Sequence, residues 1–261
     1  MKSGKSTNIL PSASDKITKA LKRNQAPVET WSVRLEDIYN NPDVRLDASH
    51  YDRQTAAVLN ELHNSACRLS PLSEFAAVAL PGHFVRVWAQ DAVHGIPYVN
   101  ATDLMSLAGM GTLAGNARFL SRESRVDIEV LTIRAGWLLL TCSGTIGRIF
   151  YVSEGLDGWV ATHDLIRIVP RENIPVGFLY AYLSSPMAQK QIAGYTHGGQ
   201  IDHVTHHQVG GILVPVIEGS QMDDIHERTI TALQEREQAI RDIADTCEYL
   251  QQLIGLEGCG V

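Results

Sequence analysis

Leu138-Leu139-Leu140-Thr141-Cys142-Ser143-Gly144-Thr145-Ile146-Gly147-Arg148 is the stretch on which the reading of the fold turns. Its first half is a short apolar run, expected as a strand over residues 137–142, and apolar residues resume at once over 149–152. The small residues between the two let backbone pass close to another surface while the hydroxyls of Ser143 and Thr145 stay available for hydrogen bonding. Two readings of this turn stand side by side. It is a tight hairpin with no further role, or a loop that presents Ser143, Gly144, Thr145 and the Arg148 guanidinium to phosphate or to a base edge.

Outward from the turn, the chain from about residue 72 to 216 keeps the same style of short apolar runs punctuated by glycine and proline. Further strands are expected over 84–88, 97–100 and 165–169. Phe178, Leu179, Tyr182 and Leu183 recur at helical spacing, and Pro186 suits the first position of a second helix that ends at Gly194. Nearer the start, Val58, Leu59, Leu62 and Ala66 predict a helix over 49–66, closed by Pro71. The fold class expected is α+β, with a mixed, mainly antiparallel sheet. Residues 1–30 read as a flexible basic leader with a short helix near 15–23.

The last segment is different. Residues 221–254 predict one long helix, with Ser220 as N-cap, acids in the first turn and Gly255 just past the end. Leu233, Ile240, Cys247 and Ile254 repeat every seven residues, and Ile243 and Leu250 complete a second seam. At 1.5 Å per residue such a helix reaches roughly 50 Å, too far for a small domain to cover alone. A coiled-coil-type helix that dimerises or docks a partner is therefore expected, against the simpler alternative of an amphipathic helix lying across its own domain.

Composition narrows the function. The 261 residues are 44% hydrophobic, enough for a normal core. The net charge of −7 speaks against a uniformly basic surface. That deficit sits in the tail, however: from residue 217 onward there are ten acidic residues and three arginines, which leaves 19 of each sign among residues 1–216. A body neutral on balance can carry a local basic face. Lysine occurs at 2, 5, 16, 19 and 22 and then only at Lys190, so chemistry that needs a positioned lysine has little to use. Gly4-Lys5-Ser6 resembles the end of a P-loop but lacks the preceding strand and first glycine. Cys67, Cys142, Cys247 and Cys259 form no C-x-x-C pair, which suits a reducing, cytoplasmic setting. No apolar run approaches a membrane span, so a soluble protein is expected.

Other candidate residues fall into small sets. Asn116, Arg118, Arg122 and Arg125, with Ser121 and Ser124, form a polar run suited to groove and backbone contacts, or simply an exposed helix or loop. His197, His203, His206 and His207 are the densest group of possible metal ligands, and His203-x-x-His206 is close to ligand spacing on a helix. No carboxylate or cysteine set accompanies them, so no metal is expected. Cys142 and His163 suggest a thiol and base only weakly; a buried strand cysteine is the simpler reading. Asn41-Pro42-Asp43 falls short of an adenine-methyltransferase motif, and no glycine-rich cofactor loop follows a strand, so no cofactor is expected.

The order of segments carries a family resemblance. Arg45-Leu46-Asp47-Ala48-Ser49-His50-Tyr51, Pro97-Tyr98-Val99-Asn100-Ala101-Thr102-Asp103-Leu104, the glycine turn, Phe178-Leu179-Tyr180-Ala181-Tyr182-Leu183-Ser184-Ser185-Pro186, Gly198-Gly199-Gln200-Ile201-Asp202-His203-Val204 and Ile212-Leu213-Val214-Pro215-Val216 follow one another over about residues 31–254. Together they resemble one target-recognition module of a type I restriction-modification specificity subunit. The chain departs from the pattern at Trp137, where the family usually has an acid, and at Ile217-Glu218, where it has a second proline.

The resemblance implies a non-catalytic protein that recognises double-stranded DNA and directs a separate DNA adenine methyltransferase subunit, with a restriction or phage-defence subunit as a further partner. It implies a flexible leader over 1–30, a target-recognition domain over 31–216 and a helix for dimerisation or docking over 217–261. Gly198, Gly199, Gln200 and His203 join the expected DNA-binding residues on the same ground. Complete members carry two recognition domains, so this chain resembles a half-subunit that works as a homodimer or with a second specificity chain. A histidine-cluster metal enzyme and a dimeric protein-binding scaffold are the competing expectations.

Overall fold

A strand buried on both faces organises the molecule. The computed structural model describes residues 32–39, 46, 51, 53–108, 118–196 and 203–255. In chain order the described helices are α1 (Leu35–Tyr39), α2 (Arg53–Asn64), α3 (Ala101–Ala108), α4 (Ile128–Leu131), α5 (Val176–Ser184), α6 (Pro186–Tyr195), α7 (His206–Gly210) and α8 (Gly219–Leu253). The strands are β1 (Arg68–Pro71), β2 (Ala76–Ala79), β3 (Trp88–Ala89), β4 (Gly95–Val99), β5 (Arg118–Ser121), β6 (Leu138–Thr141), β7 (Ile149–Tyr151), β8 (Val160–Ala161), β9 (Leu165–Pro170) and β10 (Leu213–Val216). The chain divides into two units, Met1–Arg45 and Leu46–Val261. The first contains α1; everything that follows concerns the second.

Among the described residues, one four-stranded sheet has the order β2-β9-β6-β7 and is antiparallel throughout, and a second has the order β3-β5-β4-β8, in which only β4 and β8 run parallel. β1 and β10 form a separate antiparallel pair. Successive strand residues point to opposite faces, and β6 uses both. Leu138 and Leu140 join Ile166 and Ile168 of β9 against Phe178, Leu179 and Leu183 of α5. Leu139 joins Leu165, Val99, Leu104 and Ile133 in a second core on the side of the other sheet. The fold is thus mixed and mainly antiparallel, followed by the long C-terminal helix.

Local chemistry explains the helix ends. Ser185 caps α6, accepting from the Ala188 N–H, with Pro186 in the first helical position as expected. Thr205 and Gln208 form a reciprocal capping box at α7. α8 starts at Gly219 behind Glu218, whose side chain makes no capping bond. Ser220 is therefore inside the helix rather than its cap, and Gly255 ends it at φ +72° as the sequence predicts.

Three expectations about elements change. The helix expected over 49–66 ends at Asn64, where the Ser65 hydroxyl donates to the Leu62 carbonyl, and its described part begins at Arg53. Arg68–Pro71, read as the end of that segment, is a strand held by β10. Of the strand expected over 84–88 only Trp88 lies in a strand, at the edge of its sheet, and of the residues before it Val87 is tied to β5 through its carbonyl, which accepts from the Ser121 N–H at 2.8 Å. The leader, its short helix and most of the 45–51 stretch lie outside the described residues.

α8 packs its first half on α5. At Gly177 a Cβ atom would come within 2.7 Å of the His226 carbonyl oxygen, and the Gly177 N–H donates to His226 Nδ1 at 2.9 Å. Glycine is what lets the two helices approach this closely.

Candidate nucleic-acid interface

The glycine turn is locked from within. Thr141 supplies both halves of the lock: its hydroxyl donates to the Thr145 carbonyl and accepts from the Arg148 N–H at 3.0 Å. Gly144 (φ +69°) faces open space, whereas Gly147 (φ +84°) backs onto α6, where the Gln189 amide donates to its carbonyl at 2.8 Å. Both glycines adopt a backbone that other residues rarely tolerate. The turn therefore holds Thr145 and Arg148 outward on a fixed frame, and both are exposed. Among the described residues Arg148 has no ion-pair partner.

Three distant stretches meet at Cys142, just before this turn. Its N–H donates to the Asp164 carbonyl, its carbonyl accepts from the Val204 N–H, and Ser143 pairs with His203 in an isolated bridge. The thiol donates to the same Asp164 carbonyl at 3.2 Å. Burial, with the nearby Asp164 charge, pushes the thiol up to about 11. It is a neutral structural group at ordinary pH, so the pairing of Cys142 with His163 as nucleophile and base is not what the geometry provides.

Beyond this junction an arginine and aromatic shelf runs along the β3-β5-β4-β8 sheet. Arg86 donates from Nε to the Tyr98 hydroxyl at 2.9 Å and from Nη2 to the Thr162 hydroxyl at 3.1 Å, and lies 3.9 Å from Asp164. Arg118 stacks over Trp88 and Tyr98 at 5.0 and 5.5 Å from the ring centres and pairs with Asp103 at 3.4 Å. His163 packs edge-on against His83 at 4.3 Å between ring centres and against Phe84 at 5.6 Å. Burial, aided by His83, Arg86 and Arg167, outweighs the Asp164 carboxylate and lowers the His163 pKa, so its ring is neutral at pH 7. Its Nδ1 is buried without a hydrogen-bond partner among the described residues.

Behind the shelf, Arg167 of β9 is only 3% exposed. Its guanidinium donates to the carbonyls of Thr162 and Ala161 at 2.8 Å and also to those of Leu165 and Leu131. Burial pulls its pKa down to about 10, which leaves it charged at neutral pH. A cation with backbone carbonyls as its hydrogen-bond partners fixes the corner at residues 162–164 from below.

The expected site residues are distributed unevenly on this frame. Ser143, Gly144, Thr145 and Arg148 share the turn, and His203 is bridged to it. Arg118 opens β5, while Arg122 and Arg125 are exposed beyond its other end, so the length of the strand, roughly 13 Å to Arg122, separates them. Arg118 lies on a strand, not on the exposed helix or loop of the simpler alternative reading. Asn116, His197, Gly198, Gly199 and Gln200 lie outside the described residues. His203 is in the bridge and His206 begins α7, so the two do not share a helix face. Among the described residues no group of three His, Cys, Asp or Glu side chains is placed to hold a metal ion.

Arg86, Tyr98, Trp88, His83 and His163 were not expected as a group. The one available signal was the alternation of Phe84, Arg86 and Trp88 in an extended run, which puts an arginine on the face of two aromatic residues.

On α8, Leu233 is buried and with Ile240 lines a cavity of about 350 Å³ shared with Leu104, Phe150 and Trp159. These two heptad positions thus face their own domain. Ile243, Leu250 and Ile254 are 45%, 56% and 59% exposed, and Cys247 is exposed as well.

The molecule is thus an α+β module with an arginine-lined face and a long helix only partly covered by its own chain. No protein-family model matches the sequence, and no curated relative does. Solved structures similar to it include the HsdS subunit from Thermoanaerobacter tengcongensis, at 14% identity over 75% of this chain and 46% of that one, with a TM-score of 0.46. The S subunit of a type I restriction-modification system from M. genitalium matches at 11% identity over 75% and 48% of the two chains, with a TM-score of 0.43. The type IIG restriction endonuclease BpuSI matches at 12% identity over 82% and 32%, with a TM-score of 0.44. The chain spans roughly half the length of the first two. Among the described residues no helix is long and apolar enough to cross a membrane.

Proposed function

We propose that this chain is a sequence-specific DNA-recognition subunit that directs a separate adenine methyltransferase to its target. Residues 31–216 are the recognition domain, and the exposed half of the helix in 217–261 meets a partner: a second copy, a second specificity chain, or the subunit that performs the chemistry. One observation carries the reading. The glycine turn, the 162–164 corner and the Arg86–Arg118 shelf are tied together through Cys142, Asp164 and Tyr98, so that arginines and hydroxyls stand on a fixed frame. Such a frame suits phosphate and base-edge contacts. The colinear segments noted in the sequence favour the same role.

Selection from a random duplex pool tests it, with the chain alone and with its methyltransferase. The expected result is an enriched sequence, together with an adenine methylation pattern that disappears from cells when the chain is deleted. A pool without enrichment in both settings, or an unchanged methylation pattern, refutes the reading and favours a protein-binding scaffold.

A further inference from the structure

Two arginines of the shelf each combine an aromatic ring with a carboxylate, and they spend their donors differently. Arg86 uses Nε and Nη2 on the Tyr98 and Thr162 hydroxyls. Arg118 makes one side-chain hydrogen bond among the described residues, from Nη2 to Asp103 at 3.4 Å, and its side chain is 46% exposed. The strand register sets Tyr98 opposite Arg118 and Trp88 opposite Leu120, two residues further along β5, so these four side chains share one face of the sheet. Tyr98 is buried on that face, and the Arg118 guanidinium lies over its ring and that of Trp88 where β5 begins.

Asp103 is itself fixed. Its carboxylate accepts from the Asn100 N–H and the Asn100 side chain accepts from the Asp103 N–H, both at 2.9 Å, a reciprocal cap at the start of α3. Rings and carboxylate therefore hold the Arg118 guanidinium on two sides, with Nε and Nη1 left to donate. The charge of Arg118 is offset by its partner. An offset cation gains little from phosphate, where affinity comes from neutralised charge and released counterions. What the pair retains is a planar fork of donors aimed in a fixed direction. Guanine presents the matching acceptors, O6 and N7, side by side on its major-groove edge.

We propose that Arg118 reads one guanine in the major groove, with Asp103 and Trp88 as the positioning residues that aim its fork. This rests on the DNA-recognition reading above and names a side chain that sets part of its specificity. Arg148, which has no ion-pair partner among the described residues, is the opposite case, a cation suited to phosphate.

The test uses the full chain and the duplex enriched from the random pool, with guanines replaced one at a time by 7-deazaguanine, which removes the N7 acceptor and leaves base pairing intact. The wild type is expected to lose about fivefold in affinity at one guanine, the scale of half a bidentate contact. The Arg118→Met, Asp103→Asn variant removes the pair without changing net charge, so that penalty should disappear while the slope of log binding constant against log salt stays at the wild-type value. Asp103→Asn alone keeps an acceptor for the Asn100 N–H but frees the Arg118 charge and fork; its penalty at that guanine should shrink while its affinity for unrelated duplex rises. A wild type indifferent to 7-deazaguanine at every position, an enriched sequence with no G·C pair, or a double variant that keeps the full penalty overturns the inference and leaves DNA recognition in place. So does a slope lowered by about 0.9 in the double variant, the mark of a phosphate contact, or a double variant altered only in melting temperature, the mark of a side chain that merely covers the rings. Absence of any enriched sequence overturns both readings.

Discussion

Replacing Arg167 with methionine removes the donor that holds the 162–164 corner while keeping most of the side-chain volume. Wild-type Nη1 and Nη2 serve the carbonyls of Thr162, Ala161, Leu165 and Leu131. Leaving four buried carbonyls without this donor costs roughly 1–3 kcal/mol each. Against that, the guanidinium pays for its burial: its pKa falls from 12.5 to about 10, and at about 1.36 kcal/mol per decade its removal returns roughly 3 kcal/mol. The net expectation is a loss of roughly 1–9 kcal/mol, whose middle falls in the range of about 3–5 kcal/mol for breaking a buried charged pair.

Urea unfolding read by tryptophan fluorescence checks this, with Arg167→Lys alongside. Lysine keeps the charge but cannot span carbonyls spread over two guanidinium nitrogens, so it should recover only part of the loss. An Arg167→Met loss below about 1 kcal/mol, or full recovery by lysine, refutes the carbonyl-clamp reasoning.

Three further expectations follow from the same geometry. Gly177→Ala forces a Cβ onto the His226 backbone; a loss of about 1–3 kcal/mol is expected, with faster amide exchange in the first half of α8, and an unchanged melting curve would show that the helices part freely. Arg148→Ala is expected to lower the slope of log binding constant against log salt by about 0.9 if the side chain neutralises a phosphate, and an unchanged slope rejects that contact. Cys142, with its thiol raised from 9.0 to about 11, should resist alkylation at pH 8 while exposed Cys247 reacts. Since the unfolded thiol ionises first, this group's contribution to stability is full below pH 9 and declines as pH rises from there toward 11. Equal alkylation rates at the two cysteines would contradict the burial.

Elements whose patterns are local were legible in the sequence. The strands around the glycine turn, the Ser185-Pro186 helix start and the long terminal helix each announce themselves within a few residues. The candidate interface was legible only in part, because its parts are not neighbours in sequence: Cys142 meets Asp164 and Val204, and Arg86 meets Thr162. Arg118 was picked for its charge, but its strand, which separates it from Arg122, depends on pairing with β3 and β4. The heptad in α8 was visible, yet periodicity could not show that Leu233 and Ile240 cover Leu104 and Trp159 of the same chain. Hydrophobic spacing states that a face must be buried, and tertiary packing decides by what.

The double burial of β6 has a consequence for where the molecule can tolerate substitution. One wall serves two compartments: the chamber on the Leu138 and Leu140 side anchors α5, α6 and α8, while the chamber on the Leu139 side supports the sheet that bears Trp88, Tyr98 and Arg118. Sliding β6 by a single residue would exchange the contents of both chambers at once, so its register tolerates no drift. Substitutions confined to the outer loops and edges of the second compartment leave the wall untouched. The helical side and β6 form a constant chassis, and the front of the second compartment can vary without rebuilding it.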